Sequence, residues 1–370
     1  MLVWIGKRES DIYFSKYIFG YSITYWGSNQ DGNISLHTTY HDIVYGSGDY
    51  INLIAQSMFD VLSQSSNAQF LFYNNSQAKQ VVGKFPELFT YIVGCNLFCH
   101  EWLRQKSLFR IWASNYCLIP PSTMLATEQC NYEYLKKVFP SYSSYVIQAD
   151  LSSGGKKTYV ITEDEKCLSI DKGKLYLVSP YLVHGNSYNA HLLITSQQVI
   201  VLSISLQLIH RFQQNLLFGG GDYSSRKLTK EVKASIISMC KHMGDVLRAN
   251  GYRGVLGLDF ISDGRKTYVI ESNPRFQGSS LLLDWKLNEY LALSLFDLHL
   301  RSFSEDITMD ESAFPLEEIG SCLYTNSLDD STLTQIPKEK HDIQNMDFSV
   351  KIYDSSVYDW MHENGDNYFL

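Results

Sequence analysis

The sequence predicts a mixed α/β (α+β) chain built from several packed units, and three observations carry that prediction. The first hundred residues alternate short apolar, β-rich runs with an amphipathic helical stretch, the pattern of a parallel sheet covered by helices. The middle of the chain reads as a strand, a glycine-rich loop and a second strand. Around residue 260 a strand pair carries three oxygen-bearing side chains and runs into an apolar-rich helical stretch.

Length and charge bound what the chain does. With 370 residues it has room for two or three cores, and 45% hydrophobic with 19% charged residues is a globular balance. A net charge of −8 argues against nucleic acid or an anionic membrane as partner. The apolar region His191–Ile209 is interrupted by serines and glutamines, so it reads as two strands and not a membrane span. Lys7, Arg8, Glu9 and Asp11 break the early apolar run, which argues against a signal peptide. Together with seven scattered cysteines this gives a cytoplasmic expectation. Cys95-x3-Cys99-His100 lacks a second ligand pair at zinc spacing.

In the first unit, Met1–Ile5 and Gln69–Phe72 read as buried parallel strands and Tyr50–Leu62 as an amphipathic helix, with no G-x-G-x-x-G after a strand. Phe72-Tyr73-Asn74-Asn75 ends a strand, where open α/β sheets place ligand contacts, although the asparagines also suit a plain turn. Leu103–Trp112 is a basic amphipathic helix with Arg104, Lys106 and Arg110; by spacing alone it reads as a solvated face. Tyr145–Ala149 and Thr158–Thr162 flank Ser152-Ser153-Gly154-Gly155-Lys156-Lys157. There two glycines let backbone amides reach phosphate oxygens and lysines add countercharge, and a plain hairpin tip fits the same residues. Lys174–Val178 is a strand leading to Ser179-Pro180-Tyr181-Leu182-Val183. His184–Thr195 and Val199–Leu208 form a hairpin whose second strand alternates Ser203, Ser205 and Gln207 with apolar residues. Arg211 follows, either as a contact for a substrate carboxylate or transferred phosphoryl group or as a rim cation. Phe218–Tyr223 reads as a mobile loop ahead of the helix Leu228–Ala249.

Val255–Ile261 and Thr267–Glu271 form the last hairpin, bearing Asp259, Glu271 and Asn273. A three-residue loop, Gly264–Lys266, would set Asp259 opposite Glu271, with Leu258, Phe260, Tyr268 and Ile270 as the apolar reverse face. A two-residue turn would throw Asp259 to the other side. In the first register two carboxylates and a carboxamide make a hard-oxygen site suited to magnesium that also carries nucleotide phosphates. Arg275 adds a permanent cation, and Gly278-Ser279-Ser280 opens a helix, Leu281–Leu300, whose N-terminal amides favour an anion. The acidic tail from Arg301 holds Phe314–Ile319, Gly320–Thr325 and Phe348–Tyr353, apolar enough to pack as a small extension.

The spacing G-x-D-F…E-x-N-P-R, about a hundred residues after S-S-G-G-K-K, resembles the metal-binding core of ATP-grasp ligases over roughly residues 100–300. The resemblance implies an ATP-grasp fold, two α+β subdomains gripping ATP behind an α/β pre-ATP-grasp domain. The implied bounds are 1–98 for that domain, 99–140 for linker helices, 141–185 for the small subdomain with its flap, 186–300 for the large subdomain with the metal site and 301–370 for a C-terminal extension. It implies ATP and Mg2+ as cofactors, with Asp259, Glu271 and Asn273 on the metal and Arg275 and Arg211 in catalysis. Lys106, Gln148, Ser153, Gly154, Gly155, Lys156 and the hinge residues Tyr181, Leu182 and Val183 would hold the nucleotide. Two departures stand out: Gln148 occupies a position where many families carry a lysine, and Ser179 or Pro180 replaces a hinge glutamate. Gln148 can serve a phosphate oxygen or an adenine edge. The order of parts looks most like the pheganomycin-type peptide ligases. It implies coupling of a small-molecule carboxylate to an amine, amino acids or peptides, through an acylphosphate. The alternatives are a carrier-protein thiol as acceptor and a degenerate nucleotide-binding module without activity.

Overall fold

The computed structural model describes residues 1–8, 11–12, 15, 18–27, 29, 32–97, 101–152, 155, 157–164, 168, 170–212, 214–223, 228–310 and 321–323. Five strands come first in the chain: β1 (Leu2–Arg8), β2 (Tyr21–Trp26), β3 (Asn33–Ser35), β4 (Gln69–Phe72) and β5 (Ile92–Val93). They form one parallel sheet in the order β3-β2-β1-β4-β5. Helices α1 (Leu36–Thr39), α2 (Gly48–Gln64) and α3 (Asn75–Lys84) accompany it. Tyr50, Ile54, Met58 and Val61 recur at helical spacing in α2 and are buried against the sheet. The Ser47 hydroxyl starts that helix by accepting the Tyr50 N–H at 3.1 Å.

A 3-10 turn (Glu101–Arg104) and α4 (Lys106–Ala113) lead to the second sheet. Its strands are β6 (Thr123–Ala126), β7 (Ser144–Ala149), β8 (Thr158–Thr162), β9 (Leu175–Pro180), β10 (Asn186–Ile194), β11 (Val199–Phe212), β12 (Asn215–Asp222), β13 (Gly254–Ser262), β14 (Thr267–Asn273) and β15 (Ser321–Leu323). They run β14-β13-β10-β11-β12-β8-β7-β9-β6, with β15 paired to β12, and the pairings are antiparallel. Among the described residues the two halves meet where Asn215 pairs with Tyr159 and the Val160 N–H donates to the Gln214 carbonyl at 2.7 Å. On one half α5 (Tyr132–Val138) packs through Leu135 against Tyr145, Ile147 and Val178, so β6 and α5, expected in a linker, are built into this sheet layer. On the other half α6 (Lys230–Ala249) buries Ile236, Cys240, Met243 and Leu247 against β10 and β11.

α7 (Ser280–Leu291) and α8 (Leu295–Ser304) fill the seam with the first sheet, in a cluster that contains Trp4, Leu71, Leu193, Phe276 and Phe296. A single helix, Leu281–Leu300, was expected. Ala292 takes the left-handed conformation (φ 51°) and ends α7, and the Ser294 hydroxyl caps α8 by accepting the Phe296 N–H. Asp284 fixes the break by accepting the Ser294 hydroxyl and the Leu295 N–H at 2.9 and 2.7 Å.

Phe218–Tyr223, expected as a loop, lies within or next to β12. Its glycines have poor strand propensity, but neighbours on both sides, β11 and β15, supply a ladder that overrides it. The tail segments Phe314–Ile319 and Phe348–Tyr353 lie outside the described residues. No helix among the described residues is long and apolar enough to cross a membrane.

His299 on α8 pins the first unit to the second sheet. Its Nδ1 accepts the Val255 N–H at 3.0 Å, which leaves the proton on Nε2 to donate to the Gly94 carbonyl at 2.7 Å. Burial lowers its pKa to about 4, so the ring is neutral at physiological pH. Gly254, at φ +87°, gives it room: a Cβ there would meet the ring at 2.5 Å. His299→Ala strands a buried carbonyl and a buried N–H and should lower the unfolding free energy by about 3 kcal/mol in urea titrations. A loss under about 0.5 kcal/mol would show that the pin carries no stability.

Candidate active site

Asp259 on β13 stands opposite Glu271 on β14, and Gly257 opposite Asn273. This is the favoured pairing, reached by a different route. Ser262 pairs with Thr267, so the loop has the four residues 263–266 and not three. The Asp263 carboxylate holds that loop by accepting the Arg265 and Lys266 N–H groups, both at 2.8 Å. Continued regularly, such a register would set Glu271 opposite Leu258 and on the wrong face. Ile270 is the correction. The register shifts by one residue between Asp259 and Phe260, so Phe260 faces Val269 while Asp259 faces Glu271. Val269 accordingly takes the inner position beside Leu258 and Phe260, whereas Tyr268 and Ile270, expected there, are half-buried.

Asp259 is buried, 5% exposed, and accepts hydrogen bonds from three side-chain amides. Asn189 and Gln207 donate to Oδ1 at 2.5 and 3.2 Å, and Asn273 donates to Oδ2 at 3.0 Å. Burial, and then the charge of Glu271, still hold its pKa well above the ordinary carboxylate value. Burial pushes Glu271 the same way, but Lys106, the hydrogen bond with Asp259 and the nearby Arg110 outweigh it and lower its pKa. Of the pair, Asp259 is therefore the carboxyl that resists ionisation. Hard oxygens set this close fit a divalent cation, whose charge would relieve that resistance. No group of three His, Cys, Asp or Glu side chains gathers among the described residues, so a metal here would rest on this pair, Asn273 and ligand oxygens. Asn273 turns its nitrogen to Asp259 and its oxygen to Arg275 Nη2 at 3.1 Å, bridging acid and cation.

Helix α4 reaches this pair from the side. Its own N-cap residue, Gln105, makes no side-chain cap; the Asp150 carboxylate, just past β7, accepts the Ser107 N–H at 2.7 Å and its hydroxyl at 3.0 Å instead. So docked, the helix buries two cations that the sequence suggested were solvated. Lys106 Nζ lies 3.2 Å from Glu271 Oε2 and donates to the Ser152 carbonyl and hydroxyl at 3.0 and 3.1 Å. Arg110 donates from Nε to the carbonyl of the bulged Ile270 and from Nη2 to Gln148 Oε1, both at 3.0 Å. Sequence reasoning missed Arg110 as a site residue, although its four-residue spacing from Lys106 places both on one helix face. It also missed Asn189 and Gln277. Asn189 Nδ2 donates to Gln277 Oε1 at 2.7 Å, and Gly257 exists for that amide: a Cβ there would meet Gln277 at 2.2 Å.

The remaining expected residues scatter. Arg275 donates to the Tyr73 hydroxyl at 3.2 Å with its guanidinium 5.7 Å from the ring centre, and pairs with Asn74 across the gap to the first sheet. Arg211 is exposed, four residues beyond Gln207 on β11, a reach of roughly 13 Å along an extended strand. It is not brought to the carboxylates. Ser153, Gly154 and Lys156 lie outside the described residues. Gly155 turns at φ +77° and accepts the Thr158 N–H at 3.1 Å. Lys157 pairs with Asp171 at 2.7 Å on the surface, away from the acids. At the hinge, the Tyr181 N–H is taken by the Ser144 carbonyl and the Leu182 carbonyl by the Gly185 N–H. Val183 is 60% exposed and walls nothing off. Cys99 and His100 also lie outside the described residues.

Residues 118–279 match the family model described as the ATP-grasp domain, and the fold is the ATP-grasp fold. Among solved structures, the biotin carboxylase domain of 2-oxoglutarate carboxylase from Hydrogenobacter thermophilus, in complex with MgADP, ADP and bicarbonate, is similar with a TM-score of 0.61. It is 15% identical over 85% of this chain and 72% of that one. The biotin carboxylase of Campylobacter jejuni, in its β-γ-ATP complex, gives 0.60 at 16% identity, over 85% of this chain and 73% of that one. The L-amino acid ligase of Bacillus licheniformis gives 0.56 at 14% identity, over 86% and 77%. No curated protein matches the chain. At these identities the likeness is one of fold.

The raised Asp259 pKa has two measurable consequences. Magnesium nucleotide binding should lower it, so binding releases protons over the pH range in which the free chain holds one there, which calorimetry in buffers of different ionisation enthalpy reads. Without ligand, a raised Asp259 pKa contributes stability that is complete below the ordinary carboxylate value of 3.8 and is lost as pH rises through the raised value. Asp259→Asn should flatten that decline. A wild-type stability that climbs with pH over the same range, unchanged by the substitution, would contradict the assignment.

Proposed function

We propose that this chain, with its ATP-grasp domain at residues 118–279, is an ATP-dependent carboxylate–amine ligase acting on amino acids or peptides through an acylphosphate. The observation that carries the reading is the Asp259–Glu271 pair, with Lys106 on one side and Arg275, reached through Asn273, on the other. Phosphoryl transfer needs little covalent help from a protein; it needs charge neutralised and reactants aligned, and this constellation supplies both. Magnesium would supply neutralisation of the phosphate oxygens when bound to Asp259 and Glu271, with Asn273 beside them.

The chain's own groups then divide the remaining work. Lys106, released from Glu271, turns to the nucleotide's phosphates. Arg275, held by Tyr73, faces the transferring group or the substrate carboxylate with a planar, permanently charged fork. The flap at residues 152–157 closes over the nucleotide and excludes water. Tyr181 and Leu182 border the adenine with their side chains, since the Tyr181 N–H and the Leu182 carbonyl are taken within the chain. A carboxylate is a poor acyl donor; once phosphorylated it carries a good leaving group, and an amine attacks its carbonyl carbon as phosphate departs. The amine as acceptor draws support from the L-amino acid ligase of B. licheniformis, which shares the fold.

The test is ADP release from MgATP across a panel of amino acids, short peptides and bicarbonate, with product mass measured. Bicarbonate belongs in the panel because it accompanies the nucleotides in the H. thermophilus structure. We expect ADP and an amide heavier than either amino acid, and Glu271→Gln should cut turnover at least about a hundredfold while the KM for ATP moves less. Full turnover in Glu271→Gln would refute the mechanism. ADP formed only with a thiol-bearing carrier protein would move the acceptor from amine to thiol.

A further inference from the structure

Gln148 is the departure that the sequence leaves open, and Arg110 resolves it. Arginine has donors only, so the atom of Gln148 that lies 3.0 Å from Arg110 Nη2 must be the oxygen; the usual ambiguity of a side-chain amide does not arise. With Oε1 taken, Gln148 has only its NH2 to offer, and Nε2 makes no hydrogen bond among the described residues while the side chain is half-exposed. Arg110 itself is 3% exposed, and its Nη1 is buried without a partner. The free donor suits an atom that only accepts, as every phosphate oxygen does, and it cannot make the paired donor-and-acceptor contact that reads an adenine edge.

We propose that Arg110 and Gln148 form a phosphate-binding dyad at the end of β7, in which the buried guanidinium orients and polarises the amide so that Nε2 donates to a phosphate oxygen of the nucleotide. The dyad replaces one direct cation by an amide backed by a cation. It rests on the proposed function, because it needs the nucleotide to lie against α4 and β7. Neighbouring features agree: Lys106 sits one helical turn before Arg110, and Asp150, two residues beyond Gln148, clamps the start of the same helix. Arg110 remains a cation at neutral pH, since burial draws its pKa down only to about 10 with Glu271 and Asp150 opposing. In this role Arg110 is a positioning residue and Gln148 the contact.

A lysine at 148 would place an ammonium against the buried guanidinium, so restoring the cation alone should harm binding. Gln148→Glu keeps an oxygen for Arg110 but replaces the NH2 donor by a negatively charged acceptor, so it removes the donor and repels a phosphate at once; Gln148→Met removes the donor without adding the charge and should weaken MgADP binding in the same direction. Calorimetry with MgADP on the full chain should show Gln148→Glu binding at least about tenfold more weakly than wild type, with an unchanged or raised melting temperature. Gln148→Lys should also bind at least about tenfold more weakly, and Arg110→Met added to it should recover most of the loss, as two coupled sites require. MgADP affinity of Gln148→Glu within about twofold of wild type, or Gln148→Lys binding as tightly as wild type, would overturn the dyad alone. Failure of the wild-type chain to bind MgADP would overturn the proposed function and the dyad together.

Discussion

Two carboxylates brought face to face in a half-dry strand pair repel, and a protein tolerates the arrangement only where backbone geometry leaves them no other place. Here that geometry is one surplus residue in β14. Ile270 has no opposite number on β13, and by taking up one position it returns Glu271 to the face of Asp259 after a four-residue loop had set it on the other. The rest of the site follows from this shift. Glu271 meets Lys106, the Ile270 carbonyl meets Arg110, and Asn273 falls opposite Gly257, whose missing side chain leaves room for Gln277.

The cations answer the carboxylates in kind. Burying an arginine and a lysine costs several kcal/mol each unless partners are waiting. Both find them at the same two places: Lys106 on β14 and on Ser152 beyond β7, Arg110 on β14 and on Gln148 of β7. α4 is thereby cross-linked to the far edge of one half-sheet and the centre of the other. The first sheet joins through Arg275, whose guanidinium rests on Tyr73 at the end of β4, and through His299 to Gly94. Three units thus contribute to one cluster of acids and cations.

Much of this was legible in residue order. Alternation along β13 and β14 marks Asp259, Glu271 and Asn273 as a group, and α2 declares itself by spacing and its serine cap. What escaped has a physical reason in each case. A bulge trades one residue of loop for one of strand, so the right facing pair was reached through the wrong loop length. The glycines at 219–221 became strand because β11, one hairpin back, and β15, far along the chain, lie next to them in the sheet, which propensity does not encode. Lys106 and Arg110 looked like a solvated stripe because pattern alone cannot tell a wet polar face from one turned toward acids. Arg211, on the same strand as Gln207 but exposed four residues further on, fits the rim cation that its sequence also allowed.

The account turns on where the nucleotide and its metal sit, and a crystal structure of the chain with magnesium and a non-hydrolysable ATP analogue tests that most directly. It should place a metal with oxygens of both Asp259 and Glu271 at about 2.0–2.1 Å, and Lys106 moved from Glu271 onto a phosphate. A nucleotide bound elsewhere, or a metal held by the phosphates with neither carboxylate on it, would contradict it.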